Sequence, residues 1–438
     1  MIKKFALAGF LYLIIFSAQA QFKNIKIDEA GNRMGEPYIT VNPDDPKNLV
    51  ASGADDTIFY STDGGATWEK TKLTSSLGIY GGLVLIADSK GTIYCLHSSN
   101  PGGEGLSNEK ALDQIVCHAS SDGGKTWEEV GSVGYNPPKD QARPFVTMDA
   151  KGGLYLTWTQ FDKYKSTDAT CQSTVLISTS SNGKKWSKPV VLSQTPGNCN
   201  DTGTTTGVAT PTVAPDGKVY VTWPLQNKIF LDRSFDGGGV WLMNDVPTAD
   251  QTGGWSLKVP GYSHSNEVPM LMVDKSKSTY RGCLYLVWAD QRNGENDTNV
   301  WFSRSYNYGD NWSSPVKMGS DSTAKHQFMS KMAVDPLTGY IYIVYYDRSA
   351  YEDNQTDVYL AYSADSGANF KSVKISESPF VAEDVAGFGD YTNISAQNGI
   401  ITPIWVRTDN GKTSLLTSVI KQEELIPPTP TEKGKKKK

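Results

Sequence analysis

The sequence predicts an all-β fold made of a repeated unit of four antiparallel strands, and three observations predict it. A hairpin motif recurs six times at near-constant spacing. Segments of alternating polarity flank each copy. With 41 Gly and 22 Tyr in 438 residues, the composition leans toward turns and aromatics. Hydrophobic residues at 38% and charged residues at 20% are those of a globular chain. A net charge of −5 over this length makes no field suited to nucleic acid. The basic run Lys433 to Lys438 is a terminal tail and not a face.

In chain order, the first element is a targeting signal. Lys3 and Lys4 precede an apolar run at 5–16, and Ala18-Gln19-Ala20 has the small-x-small form of a cleavage site. The run is too short to span a bilayer comfortably, and no Cys follows the cleavage site to take a lipid. The expectation is a signal peptide at 1–20, a mature chain starting near Gln21, and a secreted or periplasmic protein with no membrane span.

Five cysteines in an exported chain raise the question of pairing. Cys95 and Cys117 fall on adjacent expected strands, and Cys171 and Cys199 flank loops expected on one face. Both pairs are candidates for disulfides, since spacing alone does not set connectivity. Cys283, inside the apolar stretch GCLYLVW, is expected to be a buried free thiol.

Three copies of the motif fit S-x-D-x-G-x-x-W: Ser61 to Trp68, Ser120 to Trp127 and Ser234 to Trp241. Three degraded copies share the register: Thr179 to Trp186 with Ser181 at the Asp position, Ser305 to Trp312 with Asn307 there, and Ser363 to Phe370 closed by Phe. Successive copies start 59, 59, 55, 71 and 58 residues apart. The template is a hairpin corner. Ser or Thr ends a strand, Asp or Asn bonds back to its own turn, Gly supplies a positive φ, and the aromatic pins the turn from below. The motif resembles the Asp box, or BNR repeat, of the sialidase-like propellers, and the resemblance spans nearly the whole mature chain.

Four strands per ~55–60 residues is what one blade of a propeller needs. In the fifth repeat the expected strands are 268–273, 284–288, 299–303 and 314–318. In the sixth they are 331–334, 341–345, 357–361 and 370–375. Beyond the last corner, 391–395, 400–405 and 414–420 make three more strands, and an N-terminal strand at 22–27 can supply the fourth. The expected architecture is therefore a β-propeller of seven blades closed by the N-terminal strand, with the six blades of sialidases as the alternative. It would form one domain over 21–420, followed by a disordered Pro/Lys-rich tail at 421–438.

Each corner joins the third and fourth strands, so the loops after the second strands and the starts of the innermost strands open on the opposite face. In sialidases that face holds the active site, and the resemblance implies the same here. Trp158, Trp223, Trp288, Tyr345 and Trp405 share one position at the ends of the second strands and are most simply read as packing between blades. Two residues on stand Gln160, Leu225, Asp290, Asp347 and Arg407, with Arg292 and Arg348 close by. Starts of innermost strands add Glu36, Arg143, Thr210, Glu267, Lys331, Asp390 and Tyr391. Of four histidines, His97, His264 and His326 map to this face, and His118 falls within a third strand.

The resemblance implies an arginine clamp on a sugar carboxylate, a Tyr activated by Glu, and an Asp acid. Arg143, Arg292, Arg348 and Arg407 are the candidates for the clamp, and Glu36, Glu267, His264 and His326 are further candidate substrate-binding residues. Tyr391, Asp390, Asp347 and Asp290 are the candidate catalytic groups, with Glu383 near Tyr391. One departure stands out: the early Arg-Ile-Pro of sialidases is absent. Arg143-Pro144 is its nearest echo, and Glu36-Pro37 stands where that arginine is expected. Three classes stay open: an exo-acting glycosidase on an acidic sugar, a polysaccharide lyase using His97, His264 or His326 as base, and a non-catalytic glycan- or protein-binding propeller. The expected partner is an acidic glycan, the expected state a monomer, and no cofactor is required. Asp297 with Asn299, and Asp353 with Asp357, could offer oxygen ligands to a structural Ca²⁺ but read better as solvated loops.

Overall fold

The computed structural model describes residues 22–29, 35–53, 56–319, 324–382 and 388–427. The expected signal peptide and the last eleven residues lie outside the described residues. Among these, seven antiparallel sheets of four or five strands follow one another along the chain, with one two-stranded hairpin between the fourth and the fifth. In six sheets four consecutive strands pair in chain order. The seventh runs Asn393–Gln397, Ile400–Asp409, Lys412–Thr417 and then Ile25–Glu29 from the other end of the chain.

The first strands of the sheets are Tyr38–Val41, Tyr80–Ala87, Asp140–Met148, Thr210–Val213, Met270–Val273, Gln327–Val334 and Asn393–Gln397. Each neighbours the next in chain order, and the seventh neighbours the first. Every sheet is thus packed on both faces by its neighbours. That is why second strands such as Leu284–Asp290 and Ile341–Asp347 are buried along their whole length and lack a polar-apolar alternation. Trp158, Trp223, Trp288, Tyr345 and Trp405 are all fully buried in this packing. The fourth strands, such as Glu69–Lys72 and Lys371–Lys374, are charged and exposed, which protects the open edge from pairing with another chain.

The corners behave as their chemistry dictates. In the second sheet Ser120 Oγ accepts from Gly124 N at 2.9 Å, Asp122 accepts from Thr126 N at 3.0 Å and Thr126 Oγ1 at 2.6 Å, and Trp127 Nε1 donates to Gly124 O at 3.0 Å. The corner at 179–186 departs from the expected register. Ser180 accepts from Gly183 N at 2.9 Å and Asn182 accepts from Lys184 N at 3.0 Å, so the turn is one residue shorter and Asn182, not Ser181, takes the Asp role.

Two further expectations are corrected, a Cys95–Cys117 bridge and a tail without order from residue 421, and one element is additional. Cys171 and Cys199 form a disulfide, whereas Cys95 and Cys117 are buried free thiols, as is Cys283. The reason is register: Cys95 is opposite His118, and Cys117 opposite Leu96. Order extends past residue 420, because Ile420–Lys421 pairs with Ile400 and Ile401 and the turn Gln422–Leu425 buries Leu425. The hairpin of Ser256–Val259 and Tyr262–Asn266 was not expected, although the 71-residue interval between corners marks its place. Among the described residues, no helix is long and apolar enough to cross a membrane.

Candidate active site

Because strands alternate in direction, the starts of all seven innermost strands lie at the end opposite the corners. There they surround a cavity. Three innermost strands break register at this level: between Tyr80 and Val84, between Ala142 and Phe145, and between Phe328 and Lys331. Bulges of this kind re-aim side chains, and here Tyr80, Arg143 and Lys331 line the cavity. With them stand Glu36, Tyr38, Tyr164, Asp201, Asn266, Asp390 and Tyr391, over a floor of Val84, Phe145 and Val208.

Glu36 and Asp390 are 354 residues apart and are brought together by backbone contact. Each directly follows a glycine, Gly35 and Gly389, and these two touch so closely that a Cβ on Gly35 would come within 2.6 Å of Gly389 Cα. Asp390 N donates to Gly35 O at 2.5 Å and Tyr391 N to the same oxygen at 3.2 Å. The inserted hairpin supports this segment: Tyr262 donates to Gly389 O at 2.7 Å and packs edge-on against Phe388 at 5.1 Å. On the other side, Gly82 N donates to Glu36 Oε2, and a Cβ on Gly82 would collide with that carboxylate. Only glycine lets the backbone approach so near.

The environment favours the protonated form of Glu36. Burial, and then the charge of Asp390, push Glu36 from the ordinary carboxylate range up to about 7. Tyr391 is pushed further up by burial and by Glu36 and Asp390, so it stays a neutral phenol. Lys331, 4% exposed, holds its Nζ 4.7 Å from the centre of the Tyr391 ring. Burial lowers its ammonium to about 7 against the pull of Glu267. Glu267 lies behind the cavity, 1% exposed, raised to about 7 by burial, and accepts from Ser265 Oγ at 2.5 Å and from Met329 N at 3.0 and 3.1 Å.

Arg143 sits at φ 60°, a conformation costly for a residue with a side chain, and is held there by its contacts. It forms an ion pair with Asp201, donates to Thr206 O at 3.3 Å, and lies 4.7 Å from the Trp255 ring and 5.7 Å from Tyr164. Tyr164 in turn donates to Asp201 at 3.0 Å. The Cys171–Cys199 disulfide joins the two loops that carry Tyr164 and Asp201.

Of the residues singled out from the sequence, the structure gathers Glu36, Arg143, Lys331, Asp390 and Tyr391 at the cavity, with Glu267 behind it. The others are elsewhere. Asp290 is fully buried, accepting from Trp288 Nε1 at 2.9 Å and from Arg292, whose guanidinium stacks 4.2 Å from the Trp301 ring. Asp347 accepts from Gln327 at 2.9 Å and from Ser349 N at 2.6 Å. Arg348 is 2% exposed and donates to Thr356 and Pro260 O at 3.0 and 2.7 Å. Arg407 is paired with Asp409 at 2.5 Å. His326 meets Thr298 at 3.0 Å, and burial with Arg348 nearby lowers it to about 4. His97 is buried against His118, nitrogen to nitrogen at 3.0 Å, and burial lowers it to about 4. The side chain of His264, and Glu383, lie outside what is described. Lys331, Tyr38, Tyr164 and Asp201 are cavity residues of which only Lys331 stood in the sequence reading. The aromatic-rich loops gave no periodic signal for the rest. Among the described residues, no group of three or more His, Cys, Asp or Glu could hold a metal ion. Asp297 instead accepts from the Asn299 amide at 2.8 Å, Asp353 from Gln355 N at 3.0 Å, and Asp357 from Tyr351 and Ser376 at 2.7 Å each.

No family model and no curated protein matches the sequence. Among solved structures, the chain is similar to the α-L-arabinofuranosidase of Fusarium graminearum, bound to an iminosugar inhibitor. The TM-score is 0.52 and the identity 14%, over 92% of this chain and 98% of that one. A protein of unknown function from Dyadobacter fermentans gives TM-score 0.51 and 13% identity over 91% and 99%. The NanB sialidase of Streptococcus pneumoniae gives 0.49 and 10% over 86% and 84%, a level that carries no argument. At these identities the likeness establishes the fold alone, and this chain has the all-β, β-propeller fold of such glycosidases.

Proposed function

We propose that this chain is an exported glycoside hydrolase built on a seven-bladed propeller, with the strand Ile25–Glu29 closing the ring and the cavity around Glu36 and Asp390 as its active site. One observation carries the reading: two carboxyls share a cavity, and burial together with the charge of Asp390 raises Glu36 to about 7, so that it holds a proton near neutral pH. Two carboxyls with separated proton affinities are the working parts of glycosidic cleavage. Glu36 gives its proton to the glycosidic oxygen as the C–O bond breaks. Asp390 either attacks the anomeric carbon or takes a proton from the attacking water. The sum adds one water, its hydroxyl to the sugar and its proton to the pair of carboxyls.

The cavity also fits a polyhydroxylated ligand. The hydroxyls of Tyr38 and Tyr391, the Asn266 amide and Lys331 Nζ line it, and none has a hydrogen-bond partner among the described residues. A disulfide beside the site suits an oxidising compartment. The lyase reading finds less support, since His97 and His326 are buried in contacts away from the cavity. A sialidase-type clamp also finds less, since Arg143 is the one guanidinium among the described lining residues.

The test is turnover of a panel of 4-methylumbelliferyl glycosides by the purified chain, with Glu36→Gln and Asp390→Asn beside it. Loss of kcat by about 10²–10⁴ in both folded variants is the expected result. Retention of glycans on an array by a parent that turns over none of the panel would replace hydrolysis with the binding reading.

A further inference from the structure

The fourth sheet leaves two carboxylate oxygens unused beside its corner, on the face away from the cavity. Asp232 lies in the strand Lys228–Ser234, two residues before the corner residue Ser234. At the same place in the third and fifth sheets stand Ser178 and Ser303. Their hydroxyls secure the residue after the corner aromatic, donating to Ser187 O and Ser313 O at 2.7 Å each. Asp232 does that work with one oxygen: Oδ1 accepts from Leu242 N at 3.0 Å, and also from Arg233 N at 2.6 Å. The residue is fully buried, and its Oδ2 has no hydrogen-bond partner among the described residues. A hydroxyl suffices for such a corner, so this second oxygen is surplus to it.

A second carboxylate comes to the same place. Strand alternation puts Asp232 on the face of Phe230, which packs with Val175 and Ile177 of the third sheet. Just past the last strand of that sheet, Gln194 N donates to Asp245 Oδ2 at 2.9 Å, and Asp245 N donates to Gln194 Oε1 at 2.5 Å. Gln194 Nε2 also donates to Leu242 O at 3.4 Å. Leu242 is thus bonded through its N–H to Asp232 and through its carbonyl to the residue that holds Asp245. The Asp245 Oδ1 atom is likewise buried and without a hydrogen-bond partner among the described residues.

Backbone donors on the other oxygen of each residue favour the charged form. Burial acts against this and, with the charge of Asp245, pushes Asp232 up to about 6. Two carboxylates with an unused buried oxygen apiece carry a cost that a cation relieves. Arg233, the neighbouring cation in the chain, is committed to Tyr308 O and Asp310 Oδ1 at 2.6 Å each. Oxygen donors suit a hard ion, and Ca²⁺ accepts adaptable geometry where Mg²⁺ demands an octahedron. We propose that Asp232 and Asp245 bind a calcium ion that fastens the third sheet to the fourth, with water and main-chain oxygens completing its shell. This goes beyond the hydrolase reading and does not depend on it. With two carboxylates the affinity is modest, about 10⁻⁴–10⁻³ M.

The experiment uses the full chain, stripped with EDTA and dialysed, and needs no glycoside turnover. At neutral pH, CaCl₂ at about 5 mM is expected to raise the melting temperature by about 2–4 °C, and MgCl₂ by less than half of that. Terbium luminescence excited through tryptophan is expected in the parent and is displaced by calcium. Asp232→Ser restores the residue of the neighbouring corners, and Asp245→Asn alters the half-buried partner. Each variant is expected to lose the calcium shift and to bind terbium at least tenfold more weakly. Should Asp232→Ser not fold, Asp245→Asn carries the test. A parent whose melting and luminescence ignore calcium overturns the proposal. So does an equal calcium response in the parent and both variants, which places the ion elsewhere. Melting that rises from pH 8 to pH 5 without any response to calcium overturns it in favour of a proton shared by the two carboxylates.

Discussion

Glu36 shows how a single carboxyl carries both cost and use. Its proton is held more tightly in the folded chain than in the unfolded one, raised from the usual 4.5 to about 7. The stabilisation from that proton is fully present below about 4.5 and is lost as pH rises through about 7. Glu36→Gln, neutral at every pH, is therefore expected to melt roughly 2–4 °C above the parent at pH 8 and to match it at pH 4. Calorimetric melting of both proteins at the two pH values checks this, and an equal offset at both would mean that Glu36 is not held protonated. Glycosidase activity, if Glu36 is the acid, should fall as pH rises past about 7, with the midpoint belonging to the coupled pair and not to either residue. Glycine sets the position of this carboxyl. Gly82→Ala is expected to leave a folded chain but to displace the Glu36 side chain, lowering kcat/KM by about tenfold or more. A variant with parental kinetics would show that the close approach is not needed.

Among the elements, the corners and the disulfide do different work. Asp122 accepts from Thr126, Lys125 and Ser120 at a turn on the face away from the cavity. Asp122→Ala is expected to cost about 1–3 kcal/mol in urea unfolding while leaving KM and kcat unchanged. The Cys171–Cys199 bridge closes 28 residues and bears on loops that carry Tyr164 and Asp201. Replacing both cysteines by Ala is expected to lose roughly 3 kcal/mol and, unlike the corner variant, to raise KM. Equal kinetic effects from the two substitutions would contradict the separation of a stapled face from a working one. The corners were legible from the sequence because each is closed by bonds within eight residues. The shortened one at Ser180 to Trp186 was misread by a single position, since Ser at two successive places makes either register chemically plausible.

For the whole molecule, the contacts that tie residues 22–29 to the seventh sheet offer a test at long range. Ile25–Glu29 pairs with Lys412–Thr417, Phe22 is buried, and the Asn24 side chain exchanges hydrogen bonds with Ile375 O and Glu377 N at 2.7 and 2.8 Å. Removal of residues 22–29 is expected to expose the edge of the seventh sheet and to cost several kcal/mol, read as a lower urea midpoint and a broadened transition. An unaltered midpoint would mean that the N-terminal strand is dispensable to the fold.

The repeat, the all-β class and the face on which innermost strands begin were determined by the sequence itself, because each follows from interactions between residues close in the chain. Its polar candidates divided at the next step. Glu36, Arg143, Asp390 and Tyr391 stand at starts of innermost strands and converge, whereas Asp290, Asp347, Arg348 and Arg407, at the ends of second strands, are taken up by hydrogen bonds and ion pairs away from the cavity. Periodicity could not separate these sets, since both are polar residues at a rim. Only the tertiary structure decided it. The approach of Gly35 to Gly389 and the pairing of Arg143 with Asp201 arise from segments far apart in sequence, and the bulges that bring Arg143 and Lys331 to the cavity left no periodic mark. Such long-range packing, through burial and neighbouring charge, sets which groups hold protons and which cations are already taken.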